Sequence, residues 1–145
     1  MKNKGFTLVE LLAVIVVLTF LILLVVPIVQ NTIESSKIKS FKNSVNGLVA
    51  VVNDKVASDT LKGKKIDYIY TFENGRETTS ILSDYIKGKK PDNAKIVVNS
   101  EGEIIFTVWN KKLKMCAYKK TDNSKIKYVK NIKTGKLCRS ILFSS

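Results

Sequence analysis

The chain changes character near residue 30. Residues 6–29 are almost entirely apolar, whereas the remainder is rich in Lys, Asn, Ser and Asp. At a rise of about 1.5 Å per residue, some 20 apolar residues cross the roughly 30 Å hydrocarbon layer of a bilayer. The pattern therefore predicts one membrane-spanning helix followed by one polar domain, because 145 residues are too few for two ordinary domains.

Beyond residue 29, apolar residues recur at steps of three and four, which is the period of a helix with one apolar stripe. We predict a single helix from about Thr7 to about Ser58, apolar on all sides in its first half and amphipathic in its second. Pro27 should weaken this helix, because proline lacks a backbone donor and clashes with the preceding turn. The stripe consists of Ile33, Ile38, Phe41, Val45, Leu48, Val49, Val52 and Val56.

Short segments with strand character follow the helix. Residues 79–86 instead predict a short helix, capped by Thr79 or Ser80 and ended at Gly88. The predicted fold is α+β: a long N-terminal helix, membrane-spanning in its first half, packed on a small antiparallel β-sheet. The segments predicted as strands are 66–72, 95–98, 103–109, 113–119 and 126–130.

Alternation along two of these strands assigns their faces. We expect the side chains that share one face to pack against the helical stripe. They are Ile104, Phe106 and Val108 in one strand, and Leu113, Met115 and Ala117 in the next. The opposite face of the second strand should display a basic row of Lys112, Lys114, Cys116, Tyr118 and Lys120.

The composition argues against an enzyme. The chain has no His and only two Cys, which lie too far apart in sequence to predict a four-ligand metal site. It also lacks Ser/His or Cys/His pairs and a Gly-rich phosphate loop. We therefore predict neither catalysis nor a metal or other cofactor.

Lys2 and Lys4 precede the apolar run, so the positive-inside tendency keeps the N-terminus in the cytoplasm and exports the chain after residue 30. Residues 25–30 contain no small-residue cleavage site, so the helix should stay on the mature protein. A plain signal anchor would explain these features. Glu10 argues against it, because a carboxylate inside the membrane costs about 2.5 to 3.5 kcal/mol and no basic side chain follows within two helical turns. Its partner is expected on another molecule, which indicates assembly.

Residues 4–11, Lys-Gly-Phe-Thr-Leu-Val-Glu-Leu, resemble the leader and mature N-terminus of type IV pilins and pseudopilins. The resemblance covers about the first thirty residues. It implies that a prepilin peptidase cuts after Gly5 and methylates the amine of Phe6. It also implies that Glu10 interacts with the N-terminal amine of a neighbouring subunit, and that the helix loses order at Pro27 in a filament.

The resemblance divides the chain into a leader, residues 1–5, a membrane-spanning and assembly segment, residues 6–29, and an extracytoplasmic pilin domain, residues 30–145. In an oxidising space, Cys116 and Cys138 could close a loop of about 23 residues, worth roughly 3 kcal/mol. Pilins often close a C-terminal loop in this way, which favours the disulfide over two reduced cysteines.

Positive charge is concentrated near the C-terminus. The chain has a formal net charge of +13, and residues 111–139 carry eleven Lys or Arg against the single acid Asp122. Interleaved tyrosines would suit stacking and phosphate contacts on single-stranded nucleic acid. A solvated face whose lysines discourage edge pairing is the alternative. The candidate anion-binding or DNA-binding residues are Lys112, Lys114, Lys120, Lys125, Lys127, Tyr118 and Tyr128.

Three functions remain open at this point. The chain is a structural subunit, major or minor, of a type IV pilus or pilus-like filament; a pseudopilin or tip subunit that binds DNA for uptake; or a monomeric signal-anchored domain. The first two imply a precursor in the cytoplasmic membrane and, for a pilus subunit, an extracellular filament on the cell surface. The expected partners are other pilin subunits, the prepilin peptidase, the membrane, and DNA or another surface polyanion.

Overall fold

The computed structural model describes residues 7–78, 81–88, 90–121 and 123–142, except the side chains of residues 26, 27 and 81. The chain divides into two compact units, Met1–Ile38 and Lys39–Ser145. The first helix, α1, runs from Leu8 to Leu61 and contributes to both units. The predicted helix is therefore confirmed, with an end three residues later than expected.

The second unit is built on a six-stranded antiparallel sheet with the strand order β2-β1-β3-β4-β5-β6. A short 3-10 helix, Ile81–Asp84, stands in the segment where the sequence predicted a short helix. The predicted caps Thr79 and Ser80 lie outside the described residues. The strands are β1 (Tyr68–Glu73), β2 (Arg76–Glu77), β3 (Asn93–Val98), β4 (Ile104–Asn110), β5 (Met115–Lys119) and β6 (Lys127–Val129). The α+β fold is confirmed.

Two turns differ from the sequence prediction. Asn74 and Gly75 both have positive φ, 51° and 79°, and join β1 to the unpredicted strand β2 in a tight hairpin. The connection between β4 and β5 spans residues 111–114, where the Asn110 side chain accepts a hydrogen bond from the Leu113 N–H at 2.9 Å. The prediction that Leu113 belongs to the strand is therefore wrong.

The main core lies between α1 and one face of the sheet. Its helical part is the predicted stripe, of which Phe41, Val45, Leu48 and Val52 are buried. The sheet contributes alternating side chains, among them Tyr70, Phe72, Ala94, Ile96, Val98, Ile104, Phe106, Val108, Met115 and Ala117. The predicted faces of β4 and β5 are confirmed except for Leu113, which lies in the turn and is half-buried.

A second, smaller core covers part of the opposite face of the sheet. A C-terminal helix, α2 (Gly135–Ser140), brings Cys138 against Trp109, Cys116 and Ile132. The predicted basic row on this face is therefore wrong at three positions: Cys116 is fully buried in the smaller core, and Lys112 and Lys114 lie in the turn before β5. For Cys116 the reason is tertiary, since α2 folds back over β4 and β5; for the two lysines it is that the turn extends to residue 114.

Candidate functional site

The predicted cleavage and methylation residues, Gly5 and Phe6, lie outside the described residues. Immediately after them, Thr7 and Glu10 form a capping box at the start of α1. The Glu10 carboxylate accepts hydrogen bonds from the Thr7 N–H at 2.9 Å and from the Thr7 hydroxyl at 2.8 Å. The Thr7 hydroxyl oxygen accepts from the Glu10 N–H at 3.3 Å. The Thr-x-x-Glu spacing could have revealed this interaction in the sequence.

The capping box gives Glu10 a partner in its own chain, which the search for a basic residue had missed. Both hydrogen bonds to the carboxylate end on the same oxygen, Oε2. No ion pair to Glu10 occurs among the described residues. The arrangement thus orients a carboxylate at the start of α1 through hydrogen bonds and not through an ion pair to any described residue.

The first unit contains one stretch that could cross a bilayer by length and composition. The described side chains of residues 7–25 and 28–37 are all exposed. An apolar surface of this extent is unfavourable in water, so it requires lipid or other apolar helices around it. The backbone at Pro27 is helical, and the loss of helical order there in a filament stays a prediction.

The two cysteines form the disulfide Cys116–Cys138, with a Cα–Cα distance of 5.6 Å. The bond joins β5 to α2 and is buried in the smaller core. The Trp109 indole N–H donates to the Ile132 carbonyl at 3.0 Å beside it. At the start of α2, a Cβ on Gly135 would lie 3.0 Å from the Asn93 side chain and 3.2 Å from the Trp109 ring, so any other residue would have to displace these neighbours slightly. The predicted disulfide is confirmed.

Four of the seven candidate anion-binding residues line one small cavity of about 160 Å³. Tyr118 and Lys127 face each other across the β5–β6 pairing, and Ser124 is held by hydrogen bonds with Thr121. We call this site the basic groove; it consists of Tyr118, Lys120, Ser124, Lys125 and Lys127. Three cations around an aromatic ring offer phosphate contacts and a stacking surface.

The other three candidate residues lie elsewhere. Lys112 and Lys114 are in the turn between β4 and β5. Tyr128 pairs with Ala117 and so points to the helical side of the sheet. There its ring packs edge-on against Phe41 at 6.4 Å, with the Lys42 ammonium 5.1 Å from the ring centre. Burial raises the pKa of the Tyr128 phenol, and the ring is not available beside Tyr118.

A buried polar cluster that the sequence analysis missed joins α1 to β1. Asp59 is 2% exposed. Its carboxylate accepts a hydrogen bond from the Tyr68 hydroxyl at 2.7 Å and forms an ion pair with the Lys55 ammonium. The Lys55 ammonium also lies 5.7 Å from the Tyr85 ring centre. The hydrogen bond from Lys55, followed by that from Tyr68, lowers the pKa of Asp59, while Asp59 raises the pKa of Lys55. The four-residue spacing of Lys55 and Asp59 on one helix was the available signal.

Comparison with known proteins concerns the N-terminus. The family model described as the prokaryotic N-terminal methylation motif matches residues 1–26. This motif is the leader of type IV pilins and pseudopilins, and the resemblance stated from residues 4–11 is confirmed. No curated protein and no solved structure gives a match. The motif supports a pilin-like or pseudopilin subunit that inserts into the membrane before assembly.

Proposed function

We propose that this chain is a structural subunit, major or minor, of a type IV pilus or pilus-like filament. The observation that carries the proposal is the methylation motif in residues 1–26, followed at once by the apolar part of α1. An enzyme is not expected, because the methylation motif indicates a structural subunit. The chain instead presents an apolar helix for packing and a separate folded unit.

Assembly would use the apolar side chains twice. In the precursor they contact lipid, and in the filament the same side chains of several subunits contact one another, so little apolar surface meets water at any stage. The precursor would hold its N-terminus in the cytoplasm, since Lys2 and Lys4 precede the apolar run. In the filament, the folded unit with its sheet would form the outer, exposed part.

Glu10 would set the position of each incoming subunit. Cleavage after Gly5 would give Phe6 a free, positively charged amine, and the Thr7 capping box holds the Glu10 carboxylate at the start of α1. An amine of a neighbouring subunit would attract this charge strongly in an apolar environment, because the effective dielectric constant is low there. This attraction is strongest when the amine and the carboxylate are in contact. It therefore favours the one register between neighbouring helices that brings the two groups together.

N-terminal processing is the direct test. Intact-mass measurement on membrane material from cells with an active prepilin peptidase should show loss of residues 1–5 and the added mass of one methyl group on Phe6. The same cells without the peptidase supply the control and should contain only the precursor. Recovery of the uncleaved chain alone from peptidase-positive cells would contradict the proposal.

The second candidate function is a pseudopilin or tip subunit that binds DNA. The basic groove favours it, because Lys120, Lys125 and Lys127 surround Tyr118 in one cavity. Abundance separates the two candidates. Quantification in sheared surface filaments should find many copies of a major pilin per filament, whereas a tip subunit would be present in few copies and a pseudopilin would be nearly absent.

A further inference from the structure

Another cavity among the described residues lies in the second unit, beside the amphipathic half of α1. Its volume is about 460 Å³, which is within the range of small-molecule sites. The floor is apolar and includes Leu48, Val51, Ile86 and Val108, while Lys87 and Lys90 line it as well. We call this site the α1 cavity. Neither the proposed assembly through residues 6–29 nor the basic groove uses it.

Gly47 forms part of the wall of the α1 cavity. It lies in the interior of a helix, where glycine is less favourable than alanine. A Cβ at this position would meet no atom within 4 Å, so no close packing among the described residues requires a glycine. The space that its missing side chain leaves belongs to the cavity wall. Small residues of this kind let another group approach a helix backbone closely.

The charges of the wall favour an anion. No ion pair to Lys87 or Lys90 occurs among the described residues, whereas the one acid in the wall, Asp92, accepts a hydrogen bond from the Lys111 N–H at 2.9 Å. With two lysines and one acid among the lining residues, a negatively charged occupant is electrostatically complementary to the wall.

We propose that the α1 cavity binds an amphipathic anion, whose apolar chain lies on the floor beside Gly47 and whose carboxylate or phosphate head contacts Lys87 and Lys90. An aliphatic chain gains from leaving water for the apolar floor. The head gains charge-assisted hydrogen bonds from the two ammonium groups. A free fatty acid and a single-chain phosphate ester share this chemistry, and either would serve as the ligand. The inference does not depend on the filament role.

Trp109 provides the measurement, since it is the only tryptophan of the chain and borders the cavity, while its ring packs in the smaller core behind the sheet, close enough to report a ligand beside Val108. The full chain in neutral maltoside micelles is titrated with 8-bromooctanoate and, separately, with 8-bromooctyl phosphate, because bromine quenches tryptophan fluorescence nearby. Saturable quenching with a Kd of about 1 mM or tighter is expected for at least one of them. The tighter of the two identifies the head group. The uncharged analogue 8-bromooctanol should bind at least about tenfold more weakly.

Three variants locate the site. The double variant Lys87→Gln, Lys90→Gln should lower the affinity for the anion about tenfold or more, since two charged hydrogen-bond donors are lost. Lys62→Gln with Lys65→Gln removes two exposed lysines at the same spacing outside the cavity and should leave the affinity unchanged. Gly47→Leu fills the cavity and should abolish saturable quenching, while circular dichroism and the unfolding temperature show that the helix is retained.

The proposal fails if quenching of the wild type rises linearly without saturation, which is simple partition into micelles. It also fails if Gly47→Leu, folded by circular dichroism, binds as the wild type does. If 8-bromooctanol and 8-bromooctanoate bind with equal affinity, the cavity does not recognise an anionic head group. Unchanged affinity after substitution of Lys87 and Lys90 would contradict the proposal in the same way. The lysine variants change exposed or half-buried side chains, so they test the proposal even if the filled variant does not fold.

Discussion

The phenol of Tyr68 donates a hydrogen bond of 2.7 Å to the carboxylate of Asp59 and so links β1 to the C-terminal end of α1. Lys55, one helical turn earlier, forms an ion pair with the same carboxylate. The hydrogen bond from Lys55 is the larger cause of the lowered pKa of Asp59, and the Tyr68 hydroxyl is the next. A charged group thus stabilises the junction that positions the amphipathic half of α1 on the sheet.

This junction should weaken in acid. A carboxyl group whose pKa is lowered by folding stabilises the folded state above its ordinary pKa of 3.8, and the contribution is lost as the pH falls below 3.8 through the folded-state pKa. Asp59→Asn should therefore lower the urea midpoint at pH 6. At about pH 3 and below, the difference from the wild type should shrink. The exposed Asp67→Asn is the matched control. Identical pH profiles for the wild type and Asp59→Asn would contradict this role.

The Cys116–Cys138 disulfide should contribute measurably to stability. It closes a loop with a sequence separation of 22, for which the loop-entropy relation gives about 3 kcal/mol. Urea unfolding of the wild type with and without a thiol reductant measures this contribution. Cys116→Ala with Cys138→Ala should unfold like the reduced wild type and be insensitive to reductant. A wild type that reductant does not destabilise would refute the expectation.

The sequence predicted the large elements because their signals are local. A stripe of apolar residues over eight helical positions and alternation in β4 both depend on near neighbours. The helix and the faces of β4 were confirmed, and four of the eight stripe residues are buried in the core. The disulfide was predicted from the compartment and the resemblance. Asn74-Gly75 was also a local signal for a hairpin, but the two-residue strand that follows it is too short to show alternation.

Other features depend on contacts between distant residues. Alternation placed Cys116 on the outer face of β5, but only α2, some 20 residues later, buries it there. Tyr118 and Tyr128 were grouped because both lie among lysines, yet the register of β6 decides their faces. Since Tyr118 pairs with Lys127, Tyr128 must point the other way. The length of the connection between β5 and β6 does not fix this register.

Glu10 and Thr7 can be separated by substitution. Glu10→Gln removes the charge that would attract a neighbouring amine, whereas Thr7→Val removes the hydroxyl of the capping box and keeps the charge. Both precursors should insert and be cleaved, and Glu10→Gln should insert more easily because the cost of the buried charge disappears. We expect several-fold less Glu10→Gln subunit in sheared filaments. The loss for Thr7→Val should be smaller, because the backbone N–H of residue 7 can still hold the charged carboxylate. Equal incorporation of all three proteins would show that the charge does not position subunits.

The basic groove predicts salt-dependent binding of single-stranded DNA. Each phosphate neutralised by a lysine releases counterions, so the logarithm of the affinity should fall with the logarithm of the salt concentration by about 0.7 per contact. Lys120→Glu, Lys125→Glu and Lys127→Glu together should abolish binding by the full chain in neutral micelles. Lys112→Glu, Lys114→Glu and Lys133→Glu change the net charge equally outside the groove and form the matched control. Equal losses in both triple variants would indicate attraction by net charge alone.

The two tyrosines test whether a base stacks in the groove. Tyr118→Ala should weaken single-strand binding by about 1 to 3 kcal/mol beyond any effect on phosphate contacts, because stacking on an aromatic ring contributes that much per base. Tyr128→Phe keeps the ring that packs edge-on against Phe41 and should leave binding unchanged. Sequence-independent binding is expected, since phosphate contacts and stacking do not read base edges. Dissociation constants weaker than about 0.1 mM near 150 mM salt would be no tighter than generic non-specific binding. The groove would then be a solvated surface and not a DNA-binding site.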